Sequence, residues 1–343
     1  MNAVSPEGGS LLDAAIPQSM RGAVLGSSGI ALEDLTMPRP AATEILVKVR
    51  ASSLNRADLA LVDGRSHGSL GGVGTRLGLE WSGDVVALGT EVTAFKIGDR
   101  VMCSGSGGLS QYAVADWRRV FPLPKQDTSY EAAACLPVSL RTTHVSIITT
   151  GKLQRGDSVL VLGASSGVGL MSLQVARLLD AGLVIGTSTK ADRRGRLPEF
   201  GADLAIDSND SRWVEQVLDH TDGRGVDLLI DFLAGPLIND SMRAVKVGGR
   251  IVNVGRMAGE SGLFDFDLHS MRRIQYLGTT FRTRSVDDVH AIQQQVQADF
   301  WPALKAGRLG VPIDATLPIE KVSEAFDLMR ENGHFGKIVI TQA

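Results

Sequence analysis

Residues 163–169 read Gly-Ala-Ser-Ser-Gly-Val-Gly, a turn with almost no side-chain bulk. Such a turn lets backbone N–H groups approach an anion closely, and a helix N-terminus adds partial positive charge. Ser165, Ser166, Gly167, Val168 and Gly169 are therefore the candidate cradle for a dinucleotide pyrophosphate. Further on stand Lys190, Arg193, Arg194 and Arg196, with Asp192 the only acid between Ser188 and Arg196. A carboxylate holding the cofactor ribose would repel a 2′-phosphate, whereas Lys and Arg pair with one. The pattern predicts NADPH over NADH, with Lys190 and Arg193 on the phosphate and Ser188 assisting.

The elements that must position this turn follow from the hydrophobic pattern. The apolar run Val159–Leu162 precedes it, and an amphipathic stretch with Leu170, Leu173, Val175, Ala176, Leu178 and Leu179 follows. That is strand, turn, helix. Strands are predicted at 158–162, 183–187, 203–206, 226–231 and 250–254, with 274–279 as a sixth. Helices are predicted near 168–181, 191–200, 210–220 and 237–246. This alternation implies a doubly wound parallel sheet. From about 20 to 139, short apolar runs such as Arg21–Leu25, Ile45–Val49 and Asp84–Leu88 are broken by Gly, Asp and Pro. That spacing predicts a compact, barrel-like β domain. The tail predicts a helix at 286–308, a strand near 312–317, a helix near 320–330 and a strand at 337–341.

Gly163, Gly167 and Gly169 also satisfy the Gly-x-x-x-Gly-x-Gly turn of short-chain dehydrogenases, which catalyse with Tyr-x-x-x-Lys. Tyr112, Tyr130 and Tyr276 are followed four residues on by Asp116, Ala134 and Thr280. No Tyr-x-x-x-Lys pair exists.

Composition narrows the partners. A formal net charge of −3 provides no global basic field for nucleic acid or an anionic membrane. No run of 18 apolar residues occurs, so no membrane span is expected. Residues 5–9 read Ser-Pro-Glu-Gly-Gly, unlike a signal peptide, and residues 1–18 are read as an extension. Cys103 and Cys135 are the only cysteines, too few for a disulfide scaffold, and a reducing, cytoplasmic setting is expected.

Several segments carry a family likeness. They are Ser53-Leu54-Asn55-Arg56-Ala57-Asp58, Leu77-Gly78-Leu79-Glu80-Trp81-Ser82-Gly83, Lys96-Ile97-Gly98-Asp99-Arg100-Val101, the 163–169 turn, and Gly333-His334-Phe335-Gly336-Lys337-Ile338-Val339. Over about residues 20–341 the chain resembles the medium-chain dehydrogenase/reductase superfamily, in its zinc-free, zeta-crystallin-like quinone oxidoreductase branch. The resemblance implies an α/β fold in which a GroES-like β-barrel catalytic domain, 19–139 plus 281–343, is interrupted by a Rossmann NADP-binding domain, 140–280. It implies an active site in the cleft between them and a homodimer joined through the last Rossmann strand, Gln275–Phe281.

By the same resemblance, Asn55 and Asp58 match positions at the nicotinamide end of the cleft. Asn55 is expected to donate to the acceptor oxygen or to orient the ribose. Asp58 acts beside it or caps a helix. Thr142 matches a nicotinamide-contacting threonine, and Gly255 would allow the ring close approach. Phe281, Phe335, Gly336 and Lys337 match cleft-lining segments, Phe335 equally suiting a core position. Zinc-dependent relatives place metal ligands where this chain has the 54–58 segment, Leu79 and Ser139, and Zn²⁺ needs about four N, S or O ligands. No metal is expected.

Without a metal to polarise a carbonyl, hydride transfer favours acceptors that delocalise charge themselves, and the protein supplies orientation and hydrogen bonds. A quinone or an α,β-unsaturated carbonyl is the expected small-molecule substrate. Ser66 and Ser208 stand where relatives often carry tyrosines, which puts a quinone in question. A zinc-independent carbonyl/alcohol or enoyl-thioester oxidoreductase, and a redox-silent NADPH-binding protein, remain the alternatives. His67 is a weaker candidate proton donor, in a Gly-rich loop.

Overall fold

The computed structural model describes residues 16–342; residues 1–15, most of the expected extension, lie outside the described residues. A hairpin opens the chain, β1 (Ser19–Gly26) against β2 (Gly29–Thr36). An antiparallel sheet follows from β3 (Glu44–Ser53), β4 (Glu80–Leu88), β5 (Arg100–Ser104), β6 (Tyr112–Asp116) and β7 (Val120–Pro122). β3 pairs with both β4 and β6, and Ile45, Val47 and Val49 pack against Val85, Val101 and Ala113 in its core. Strand β2 is absent from the predicted pattern because Leu-Glu-Asp-Leu-Thr lacks a clean apolar alternation. Three short helices are likewise unpredicted: α1 (Arg56–Val62), α2 (Tyr130–Ala134) and α3 (Pro137–Thr143), the last running on as a wider coil through His144–Thr150.

The second sheet matches the predicted strand–helix rhythm. Its strands are β8 (Ser158–Leu162), β9 (Leu183–Thr187), β10 (Leu204–Ile206), β11 (Val226–Asp231), β12 (Val245–Asn253) and β13 (Gln275–Gly278). All neighbours are parallel in the order β10-β9-β8-β11-β12-β13. Chain direction across the sheet reverses between β8 and β11, and the crevice beyond the carboxyl ends at such a switch is where ligands bind in open α/β sheets. The crossovers carry α4 (Gly167–Leu178), α5 (Ala191–Arg194), α6 (Trp213–Asp219), α7 (Ile238–Ala244) and α8 (Phe266–Arg272).

Two predicted boundaries shift for local reasons. The helix expected over 191–200 stops at Arg194 and resumes as one tight turn, Leu197–Phe200, because Gly195 and Pro198 interrupt it. The helix expected to reach 246 ends at Ala244, because Val245 already pairs with Val226; Gly248 and Gly249 form a bulge inside β12.

The tail returns to the first sheet. After α9 (Val286–Lys305), β14 (Ile313–Pro318) and α10 (Val322–Arg330), β15 (Lys337–Thr341) pairs antiparallel with β3 and parallel with β14. One apolar cluster joins Met102 and Phe121 of the first sheet to Leu140, Leu170, Leu173, Val296 and Phe300. Continuous packed core therefore joins the two sheets. The turn leading into α4 is part of that packing. A Cβ on Gly169 would lie 2.6 Å from the Gly163 carbonyl oxygen and 2.7 Å from Ala164 Cα. We expect Gly169→Ala to cost about 1–3 kcal/mol and to lower the thermal midpoint by several degrees; an unchanged midpoint in a melting experiment would refute this tight fit.

Candidate active site

The 163–169 turn is built by β8 and β9 together. The Gly163 N–H donates to Thr187 Oγ1 at 3.0 Å and the Ala164 N–H to the Thr187 carbonyl at 2.9 Å. Ser166 caps α4, its Oγ accepting from the Gly169 N–H at 3.1 Å. The Leu170 N–H reaches the Ser166 carbonyl. Among the described residues the N–H groups of Gly167 and Val168 have no acceptor. These are the orphan donors of a helix start, and an anion satisfies them. Ser165 closes the turn on both sides: its Oγ accepts from Ser188 Oγ at 3.2 Å and its carbonyl from the Gly336 N–H at 3.1 Å.

The basic residues after β9 divide. Arg194 is bound to Asp207 at 2.8 Å and to the Ser188 carbonyl. The Arg196 guanidinium lies 4.0 Å from the centre of the Phe335 ring. Lys190 is exposed at the start of α5, and Arg193 donates to the His334 carbonyl at 3.3 Å. Among the described residues neither forms an ion pair. Arg56 joins them: it donates to the Met329 carbonyl at 2.9 Å and to Asn332. Burial, then the charge of Arg193, hold the Arg56 pKa below its ordinary value. Burial likewise lowers the Arg193 pKa, against the charges of Asp192 and Asp314; two guanidiniums outside any ion pair among the described residues suit an anion. His334 sits among them; burial and the Arg56 charge push its imidazole down to about 4, so it is neutral at pH 7.

Where the first sheet meets the 163–169 turn stands a closed polar network. The Lys337 ammonium donates to Glu80 Oε2 at 2.6 Å, Asn55 Oδ1 at 2.8 Å and Ser53 Oγ at 3.1 Å. Glu80 Oε2 also accepts from Ser53 Oγ at 2.6 Å and Asn55 Nδ2 at 3.1 Å, while Oε1 accepts the Val138 N–H at 2.6 Å. Asn55 Nδ2 spends its second hydrogen on the Ser53 carbonyl at 3.3 Å. Glu80 and Lys337 are buried and Asn55 is half-buried. The Lys337 stem passes beneath Gly167, where a Cβ would meet its Cε at 2.9 Å.

Comparison with known proteins now has a geometry to explain. A family model described as alcohol dehydrogenase GroES-like domain matches residues 41–125, and one described as zinc-binding dehydrogenase matches 167–297. The quinone oxidoreductase of Rattus norvegicus is 25% identical over 322 residues, 90% of this chain and 92% of that protein. A mycocerosic acid synthase-like polyketide synthase of Mycolicibacterium smegmatis is 29% identical over 88% of this chain, which spans only 14% of that protein. A solved alcohol dehydrogenase superfamily protein from Novosphingobium aromaticivorans superposes with a TM-score of 0.83 at 27% identity, covering 94% of this chain and 99% of that one. The chain belongs to the medium-chain dehydrogenase/reductase superfamily, in its quinone oxidoreductase-like branch. Its two units are the GroES-like sheet and the Rossmann-like parallel sheet.

Of the positions compared with zinc-dependent relatives, the 54–58 segment contributes Asn55 to the network above, Leu79 has an aliphatic side chain, and Ser139 Oγ donates to the Cys135 carbonyl at 3.1 Å. Burial pushes the Cys135 thiol up to about 12 and Cys103 to about 11. No helix among the described residues is long and apolar enough to cross a membrane.

The remaining candidate residues fall in three groups. Thr142 on α3 and Phe281, packed at the edge of the central cluster, are partly exposed. Gly255 follows β12 where a Cβ would lie 2.5 Å from the Phe232 carbonyl oxygen, so the backbone itself demands glycine there. Phe335 is buried against Phe200 and Arg196, and Gly336 forms a β-bridge with Ser166. Glu80 and Arg56 belong to these clusters although the sequence pattern did not single them out. Both lie in the segments that carry the family likeness, and the signal for Glu80 was a charged residue inside an otherwise apolar or small-residue stretch.

Asp58 stands beside Asn55 at the start of α1, withdrawn from solvent. It is fully buried, and its Oδ2 accepts the Asn55 N–H at 2.9 Å at the start of α1. Burial pushes its carboxyl up to about 7, against the pull of that N–H and the Lys337 charge. From roughly pH 4 to 7 the folded protein holds a proton there that the unfolded chain releases, so stability falls as pH rises through this window. The difference corresponds to roughly 4 kcal/mol at most. Thermal melts of wild type and Asp58→Asn from pH 5 to 8 should therefore diverge, the wild type losing more stability toward pH 8. Parallel curves would rule this out.

Proposed function

We propose that the protein is an NADPH-dependent, metal-free oxidoreductase that delivers hydride to a quinone or an α,β-unsaturated carbonyl. The observation that carries this reading is that Arg56, Lys190 and Arg193 form no ion pair among the described residues, while the N–H groups of Gly167 and Val168 stay open. Nothing acidic stands at the end of β9 to hold a ribose hydroxyl: the strand ends at Thr187, and Ser188 follows. The dinucleotide, when bound, supplies the hydride. The protein's part is to anchor phosphates at one end of the cleft and orient the reacting ring at the other. Gly167 and Val168 hold the pyrophosphate, Lys190 and Arg193 the 2′-phosphate, with Ser188 bracing Ser165. Asn55, Thr142, Gly255 and Phe281 line the nicotinamide end in this reading. Lys337 and Asp58 support that end from behind.

The division into a catalytic unit, 19–139 plus 281–343, and a cofactor unit, 140–280, belongs to the same proposal, as does a cytoplasmic setting for the two buried free cysteines. So does a homodimer through the β13 edge, where Leu263, Phe266, Met271 and Tyr276 are exposed. A second reading, reduction of an enoyl thioester, is favoured by one observation: the likeness to a region of a polyketide synthase covers most of this chain.

NADPH oxidation should be followed with a quinone, an enone, an enoyl thioester and an aryl ketone in parallel, after chelation. The quinone or enone is expected to be consumed and chelation to change nothing. NADPH that binds without oxidation by any acceptor would leave only a redox-silent role. The Lys190→Ala/Arg193→Ala variant should lose preference for NADPH over NADH by about 10- to 100-fold; an unchanged preference rejects the phosphate assignment.

A further inference from the structure

We propose that Glu80 and Lys337 are a positioning pair that makes Asn55 an obligate hydrogen-bond acceptor toward the bound ligand. This rests on the functional reading above only in placing Asn55 at the reacting end of the cleft. The rest follows from counting donors and lone pairs.

An amide has two N–H donors and two acceptor lone pairs. Both hydrogens of Asn55 Nδ2 are engaged, one by Glu80 Oε2 at 3.1 Å and one by the Ser53 carbonyl at 3.3 Å. One lone pair of Oδ1 is engaged by the Lys337 ammonium at 2.8 Å. What remains is one lone pair on a half-buried side chain. The reversed amide would set N–H groups against the ammonium and its carbonyl against the carboxylate, two unfavourable contacts in a buried site. Lys337 cannot serve a ligand in its place, because its three N–H bonds end on Glu80, Asn55 and Ser53. Of the two roles open to Asn55 from sequence, donating to an acceptor oxygen is closed. Receiving a hydroxyl remains, and the chemical class it fits is a ribose or substrate O–H.

Two substitutions and their combination test the assignment. Asn55→Ala should lose about 10- to 100-fold in kcat. Glu80→Gln alone should also lose kcat, with the NADPH Kd and the acceptor KM little changed. Because Glu80 acts through Asn55, the double variant Asn55→Ala/Glu80→Gln should be no slower than Asn55→Ala. If the double variant keeps its melting midpoint and NADPH affinity yet loses the product of the two single effects in kcat, the proposal is overturned.

A crystal structure of wild type with NADPH decides the direction of the amide, whether or not the variants fold. Asn55 Oδ1 on a ligand hydroxyl upholds the proposal, and Nδ2 turned to a ligand oxygen overturns it. A wild-type protein inert toward every acceptor would remove the functional reading, and the liganded structure would still test the amide.

Discussion

The buried pairing of the Lys337 ammonium with the Glu80 carboxylate is the constraint around which the cleft is organised. Taking two such charges out of water costs several kcal/mol each, offset only when their remaining bonds are also met. Here they are met: Ser53, Asn55 and the Val138 N–H complete the set. The partners come from β3, β4, β15 and the starts of α1 and α3. Strands that are far apart in the chain are therefore locked in one register at the cleft floor. Loss of either Lys337 or Glu80 would leave the other charge buried and uncompensated.

The same lysine joins the two sheets. Its stem runs beneath Gly167, and the residue before it, Gly336, bridges to Ser166. The phosphate end and the reacting end of the proposed site are thus two faces of one short connection. Arg56 from α1 and Arg193 from α5 both donate to carbonyls of the Met329–His334 turn.

Much of this was legible in the residues. The strand–turn–helix at 158–178 and the sheet that follows were visible because parallel strands buried on both faces read as continuous apolar runs. The cofactor turn was visible because its chemistry is backbone chemistry, and small residues in sequence are all it requires. The basic residues after β9 were visible as a cluster, but not how they divide. Arg194 and Arg196 are taken up by Asp207 and Phe335, partners that lie outside the local segment. Strand β2 and helices α1 to α3 were missed because they are short and take their stability from packing rather than from their own periodicity.

The sequence by itself determined the elements, the sheet that carries the turn, and the residue types available to the site. It also determined that thiol and imidazole ligands are absent at the three positions compared with zinc-dependent relatives. Only the tertiary structure decided which groups still have a free hydrogen or lone pair. Asn55, Asp58 and Lys337 all looked able to meet a ligand. Folding buries Asp58, saturates Lys337 and leaves Asn55 a single acceptor site. The reason is that hydrogen-bond capacity is spent on neighbours in space: Asn55 meets Ser53 and Asp58, 2 and 3 residues away, but also Glu80 at 25 and Lys337 at 282 residues along the chain.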